Sequence, residues 1–212
     1  GASISLASGI ARTTSQRTVA YIGDSTFFHS GLPALVNALQ AEDKITVVIL
    51  NNYITAMTGF QPSPTTGKER LKRPAPNDSP TSADGNGRFS IEEAVRGLGV
   101  REIYSVDPFD EQATLAALKQ AKRGKGVNVV ICHSPCVVHE RRTTRLGKRA
   151  PYEISQEQCN ACSLCVRVLG CPAILTDDGK YWIDGDLCDG CDLCARLCQQ
   201  DAIHPVTSEQ AP

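Results

Sequence analysis

Eight of the ten cysteines in this 212-residue chain fall in two short runs: Cys159, Cys162, Cys165 and Cys171, then Cys188, Cys191, Cys194 and Cys198. Each run reads C-x2-C-x2-C followed by a fourth Cys, a spacing suited to two 4Fe-4S cubes. Three thiolates on one tight loop cap three corners of a cube, and the fourth reaches across to the other cube. The expected ligand sets are therefore Cys159, Cys162, Cys165 and Cys198 for one cluster, and Cys188, Cys191, Cys194 and Cys171 for the other. Pro172 after Cys171 gives the usual C-P ending, whereas Gln199 follows Cys198. That departure touches the turn and not the ligand set.

Two other uses of cysteine fit less well. A structural zinc site pairs two Cys from one knuckle with two from another, so a third Cys two residues further on has no job there. A disulfide framework suits a small secreted domain with little core, whereas this chain is 41% apolar and has no signal-like N-terminus. The segment reads as a bacterial-type two-cluster ferredoxin domain. Cys132 and Cys136 follow a run of Val and Ile and are expected to be buried thiols, not ligands.

Length allows one ordinary domain plus a small one. The formal charge of -1, with 22 basic against 23 acidic residues, offers no field for nucleic acid. The longest aliphatic stretch, Ile45 to Leu50 broken by Thr46, is far below membrane-spanning length. Cluster thiolates and the absence of an export signal point to a reducing cytoplasm. The single methionine is Met57, and Gly1 opens directly into a helix-like pattern (Ala2, Ile4, Leu6, Ala7, Ile10). The chain is thus expected to be a piece of something larger or to have lost an initiator.

From Thr18 to about Ser134, short apolar runs alternate with amphipathic stretches. Strands are predicted at Thr18 to Ile22, Ile45 to Asn51, Glu102 to Val106 and Val127 to Cys132, each short and β-rich. Leu32, Leu35, Val36 and Leu39 recur at helical spacing, with Pro33 in the first turn. Ser90 and Glu93 have the form of a capping box, and Asp110 can cap a helix with Leu115 and Leu118 on its inner face. Strand-helix-strand alternation of this kind predicts an α/β fold with a doubly wound parallel sheet over residues 1–138. A basic linker, 139–151, then leads to the cluster domain, 152–212.

Two segments break the rhythm. Gln61 to Gly87, rich in Pro, Ser, Thr, Gly and Asn, is expected to be a long surface loop. The linker carries Arg141, Arg142, Arg145, Lys148 and Arg149. It is either a solvated connector or a landing patch for an acidic electron carrier.

A second constellation lies where the first two strands end. Gly23-Asp24-Ser25 closes one and Asn51-Asn52 closes the next, so in a parallel sheet both reach the crevice where α/β folds bind ligands. An Asp carboxylate and an Asn carbonyl there are hard oxygen ligands, suited to a Mg2+ that also holds phosphates. Taken alone, both dipeptides also serve as ordinary turns.

The spacing resembles the thiamine-diphosphate fingerprint, Gly-Asp-Gly followed some two dozen residues later by Asn-Asn, with Ser25 in place of the last Gly. The strings Gly23-Asp24-Ser25-Thr26-Phe27-Phe28-His29-Ser30-Gly31 and Ala56-Met57-Thr58-Gly59-Phe60-Gln61-Pro62 resemble the large subunits of CoA-dependent 2-oxoacid:ferredoxin oxidoreductases, those acting on indolepyruvate above all. The likeness runs through Ile91 to Val100 and Val106-Asp107-Pro108 to the cysteines, and covers about the C-terminal third of such a subunit. It implies that Asp24 and Asn52 bind Mg2+ by side chain and Ile54 by its backbone oxygen, with the diphosphate against the turn of Gly23, Asp24, Ser25 and Thr26. Thr58, Gly59 and Gln61 would wrap the cofactor. His29 would face the reacting end as a catalytic group, or else be a packing histidine. The loop from Gln61 to Gly87 is longer than the family's, and the family's segment upstream of Gly1 is absent.

The resemblance implies oxidative decarboxylation of a 2-oxoacid, with CoA taking the acyl group and electrons passing from thiamine diphosphate through two clusters to ferredoxin. It also implies a partner: the Glu that activates the aminopyrimidine must come from another subunit or from missing sequence. An arylpyruvate is the expected substrate; the alternatives are a sister enzyme for pyruvate, branched-chain 2-oxoacids or arylglyoxylate, and an electron-transfer subunit without a working thiamine site.

Overall fold

The structure, a computed structural model, describes residues 1–66, 88–143 and 150–206. It divides into two compact units, 1–139 and 140–212, which are treated separately. Among the described residues no helix is long and apolar enough to cross a membrane.

The first unit is built on a four-stranded, wholly parallel sheet in the order β1-β2-β4-β3. Its strands are β1 (Thr18–Gly23), β2 (Ile45–Asn51), β3 (Glu102–Val106) and β4 (Asn128–His133). Alternation along the central strands splits two cores. Ile45, Val47 and Ile49 of β2 join Val129 and Ile131 of β4 beneath α1 (Ser3–Thr13), α3 (Leu32–Gln40) and α4 (Ile91–Gly97). Val48, Val130 and Cys132 point the other way, onto Ala117 and Ala121 of α5 (Glu111–Arg123). Helices on both faces make the sheet doubly wound, as the sequence pattern predicted.

Local chemistry sets the ends of these elements. Ser90 Oγ accepts from Glu93 N at 3.1 Å and Asp110 Oδ1 from Ala113 N at 3.0 Å, so both predicted caps form. Asp43, almost wholly buried at the turn before β2, takes Arg12 Nε at 2.9 Å and the hydroxyl of Ser8, which pins α1 to the sheet. Gly31 closes the π-helical turn Phe27–Gly31 between α2 (Asp24–Thr26) and α3. A Cβ there would lie 2.9 Å from Ile22 Cδ1 and 3.0 Å from Phe27 Cδ2, so a larger residue would require these packed side chains to shift.

Two expectations need correction. The fourth strand is displaced by one residue, Asn128–His133 in place of Val127 to Cys132. Gly126 at φ +61° turns the chain just before it, and Arg17 donates to the Gly126 carbonyl at 3.1 Å, so pairing starts at Asn128 with Thr46 and ends at His133 with Asn51. The stretch after Gln61 is also not all surface loop, because Ser63, Thr65 and Thr66 are buried. Residues 67–87 of that loop, and Arg145, Lys148 and Arg149 of the linker, lie outside the described residues.

The second unit is small and two-sided. β5 (Tyr152–Ile154) pairs antiparallel with β8 (Ile203–Pro205), and β6 (Ile174–Asp177) with β7 (Lys180–Ile183). Helices α7 (Leu164–Leu169) and α8 (Leu193–Leu197) each begin inside a cysteine run. A further helix, α6 (Val137–Thr143), carries the chain from one unit into the other.

Candidate cofactor sites

Parallel pairing aligns the carboxyl ends of three strands. Gly23 sits opposite Leu50 and Asn51 opposite His133, so Asp24, the Asn51-Asn52 pair and His133 share one edge of the sheet. Asp24 is 3% exposed. Its Oδ2 accepts from Ser63 Oγ at 3.2 Å and from the Thr65 hydroxyl, which folds the Asn52 to Thr66 loop over the carboxylate. Thr55 Oγ1 adds a 2.9 Å bond to Ser25 Oγ.

The donor set suits a hard divalent cation. A carboxylate this deeply buried is costly unless a positive charge is near, yet among the described residues no Lys or Arg forms an ion pair with Asp24. Both hydroxyls meet Oδ2, and a carboxylate has a second oxygen that can serve as a hard ligand. Asn52 Oδ1 closes a tight turn onto Ile54 N at 3.1 Å, which brings the side chain of Asn52 and the backbone of Ile54 together.

The other expected residues are placed as follows. Gly23 presents open space at its Cα. Thr58 Oγ1 donates to Gln61 Oε1 at 2.6 Å, Gln61 Nε2 donates to the Thr58 carbonyl at 2.6 Å, and Gly59 between them turns at φ +114°. These three residues thus form one exposed turn, held to the strand end by the Thr55–Gln61 bridge. His29 lies in the π-helical turn, exposed, with Nδ1 2.9 Å from the Ser25 carbonyl oxygen. Thr26 precedes it and accepts Ser30 Oγ at 3.1 Å on its carbonyl.

Sequence reasoning missed a polar network beside this edge. His133 Nε2 lies 2.6 Å from Glu92 Oε1, and its Nδ1 is 3.1 Å from both Asn51 Nδ2 and Tyr53 Oη. The His133 hydrogen bond, helped by Ser105, holds the Glu92 carboxyl down to about 2 against the opposing effect of burial. Burial raises the Tyr53 phenol, with Glu92 and Asp24 adding to the shift and Arg88, 5.5 Å above the ring, opposing it. Applying the strand-end rule to the fourth strand as well as the first two would have singled out His133.

In the second unit the thiols sort by space, not by sequence. Cys159, Cys162, Cys165 and Cys198 line one cavity, walled by Ile154, Leu164, Tyr181 and Ile203. Cys194 is pushed up to about 11, first by burial and then by Cys191, Cys188 and Cys171. Cys165 is raised by burial and then by Cys159 and Cys162. Cys198 of the second run thus joins the first three thiols, and Cys171 of the first run is felt by Cys194 in the second. The two runs also repeat one backbone shape: Ala161 and Ser163 flank Cys162 in the left-handed region, as Gly190 and Asp192 flank Cys191. Backbone N–H groups reach sulfur from Tyr152 and Gly190 to Cys188 and from Ala202 to Cys198, all at 3.4 Å. Clustered thiolates in a dry pocket repel one another, and a positively charged metal core relieves that repulsion. Among the described residues no three His, Cys, Asp or Glu side chains gather tightly enough to hold one lone metal ion.

Comparison with known proteins identifies the family. Relatives described as indolepyruvate oxidoreductase subunit IorA include that of Methanothermobacter marburgensis, 36% identical over 97% of this chain and 31% of its own length. The one from Archaeoglobus fulgidus is 37% identical over 98% of this chain and 32% of its own. The chain thus spans about a third of the length of these relatives. Among solved structures, 2-oxoglutarate:ferredoxin oxidoreductase from Magnetococcus marinus shares the fold at TM-score 0.54 and 18% identity, over 64% of this chain and 45% of that one. A 4Fe-4S binding domain matches residues 181–204. Residues 1–132 match the thiamine pyrophosphate enzyme, C-terminal TPP binding domain, and the chain belongs to that family.

Proposed function

We propose that this chain is the diphosphate-binding and electron-exit part of a CoA-dependent 2-oxoacid:ferredoxin oxidoreductase acting on an arylpyruvate. The observation that carries it is a buried Asp24 with which no Lys or Arg of the described residues forms an ion pair, at the same sheet edge as Asn52, in a chain that also brings Cys159, Cys162, Cys165 and Cys198 around one cavity. Thiamine diphosphate, when bound, supplies the electron sink for decarboxylation. Asp24 and Asn52 would hold Mg2+ by their side chains and Ile54 by its carbonyl, and Gly23, Ser25 and Thr26 would receive the diphosphate, whose charge such a cation offsets. Thr58, Gly59 and Gln61 cover the cofactor and keep water out, while His29 stands towards the reacting end. Cys159, Cys162, Cys165 and Cys198 carry one 4Fe-4S cluster, and Cys171, Cys188, Cys191 and Cys194 the other. Ferredoxin-type clusters reach low potentials, which suits ferredoxin as acceptor. The Glu that activates the pyrimidine ring comes from another chain or from further sequence.

The test is an assay of the complete assembly with CoA, a panel of aryl and aliphatic 2-oxoacids and a low-potential dye. Dye reduction should need CoA and favour arylpyruvates. Asp24→Ala should lose thiamine diphosphate while both clusters remain. Tight cofactor binding in that variant, or CoA-independent aldehyde release as the main reaction, overturns the proposal. Faster turnover of pyruvate moves the chain to a sister enzyme and leaves the mechanism standing.

A further inference from the structure

The turn that presents Asn52 and Ile54 is under strain. Tyr53 between them sits at φ +61°, a region that costs a non-glycine residue about 1 kcal/mol or more and persists only where its surroundings hold it. Several contacts do so. Tyr53 N donates to Asn51 Oδ1 at 3.2 Å, and the Tyr53 carbonyl accepts Thr66 Oγ1 at 2.6 Å. The Tyr53 ring stacks on His133 with centroids 6.0 Å apart and planes 23° from parallel.

Donor and acceptor roles in this cluster are fixed by elimination. Asn51 Oδ1 already accepts from Tyr53 N, so its Nδ2 is the atom that faces His133 Nδ1. An amide nitrogen only donates, so in this arrangement His133 Nδ1 is the acceptor, shared with the Tyr53 hydroxyl 3.1 Å away. The ring proton then lies on Nε2 and is donated to Glu92, whose carboxylate is steadied by Ser105 Oγ at 2.8 Å. A carboxylate that orients a histidine, which orients the next group, is a common way of fixing ligands around a metal.

Resting on the diphosphate-site reading above, we infer that Glu92 and His133 are a positioning pair, which locks Asn51 and Tyr53 so that the strained turn holds Asn52 and Ile54 ready for the metal. Neither residue touches the cofactor. Their contribution is to the affinity for Mg2+ and, through it, for thiamine diphosphate.

The experiment measures thiamine diphosphate binding to the complete assembly by equilibrium dialysis at several Mg2+ concentrations, with cluster absorbance recorded on each sample. His133→Leu keeps the bulk and removes the hydrogen bonds to Glu92, Asn51 and Tyr53; it should weaken binding about tenfold, most at low Mg2+, as loss of a supporting group around a metal commonly does. His133→Gln places an amide oxygen towards Asn51 and an amide nitrogen towards Glu92, and should restore most of the affinity. A merely structural role predicts instead that the Gln and Leu variants fail alike. Wild-type affinity in His133→Leu, beside a loss in Asp24→Ala, overturns the positioning inference and leaves the diphosphate site standing. Retained affinity in Asp24→Ala overturns the site itself. Should His133→Leu not fold, Glu92→Ala decides: affinity equal to wild type refutes the pair, and a tenfold loss supports it.

Discussion

The two units solve the problem of stability in opposite ways. In the first, β2 and β4 are buried over nearly their whole length, and enclosed side chains such as Leu35, Val47, Ile49 and Ile131 interlock on one face of the sheet while Val48 and Val130 pack on the other. In the second, α7 buries no residue fully, and among the described residues the core cluster encloses only Ile174, Ile203 and Cys194, with Tyr152, Ile154, Val166, Leu169 and Ile183 half-buried around them. One unit folds around apolar side chains; the other closes around what its thiolates bind. Small domains that bury little surface need such a staple.

Iron removal is the strongest way to break that contrast. Metal binding to small sites supplies on the order of 10 kcal/mol or more of folding free energy. Stripping iron from the chain with a chelator should therefore melt residues 152–206 and leave the parallel sheet intact. Hydrogen exchange read peptide by peptide checks this: exchange should rise throughout the cluster unit and stay slow in β2 and β4. Protection that survives iron loss in the second unit would mean that its small core suffices.

A smaller effect sharpens the other side. Leu35 is fully buried between α3 and the sheet, and Leu35→Ala removes its contacts and leaves a cavity. The expected loss is about 3 kcal/mol, confined to the first unit. Urea unfolding followed by circular dichroism should show it, with cluster absorbance at a given urea concentration unchanged. A variant that loses its clusters in step would show the units to be coupled in stability.

What the sequence made legible follows the same division. The cysteine runs state part of their own geometry: three thiols on one loop are a local spacing, and Cys159, Cys162 and Cys165 line one cavity together with Cys198 of the other run. Strands β2 and β3 begin and end where alternation and β-branching predicted. The site was half legible. Asp24 and Asn52 stand at strand ends, which a topological rule finds, whereas Ser63 and Thr65 reach Asp24 from 39 and 41 residues away. Such small hydroxyl residues look like loop composition, and no local pattern tells a buried one from a solvated one. Glu92 was hidden for another reason. It sits in a capping sequence, so its place in the first turn of α4 already had a sufficient explanation, and its bond to His133 spans 41 residues.

The mildest test concerns that same bond, and it separates polar from apolar support within the first unit. Glu92 holds its carboxyl near 2 in the folded state against an ordinary value of 4.5. A group whose folded value is depressed stabilises fully above its unfolded value and loses that contribution as pH falls towards the folded one. The window is therefore from about pH 4.5 down to about 2. Because Glu92 is partly solvated, the contribution should be about 1–2 kcal/mol once screening is allowed for. Wild type and Glu92→Gln, unfolded in urea at a series of pH values, should differ by this amount at neutral pH and converge as the solution approaches pH 2. Acid loss of the clusters affects both proteins alike and cancels in the difference. A gap that stays constant through the acid range would show that Glu92 acts through packing and not through its charge.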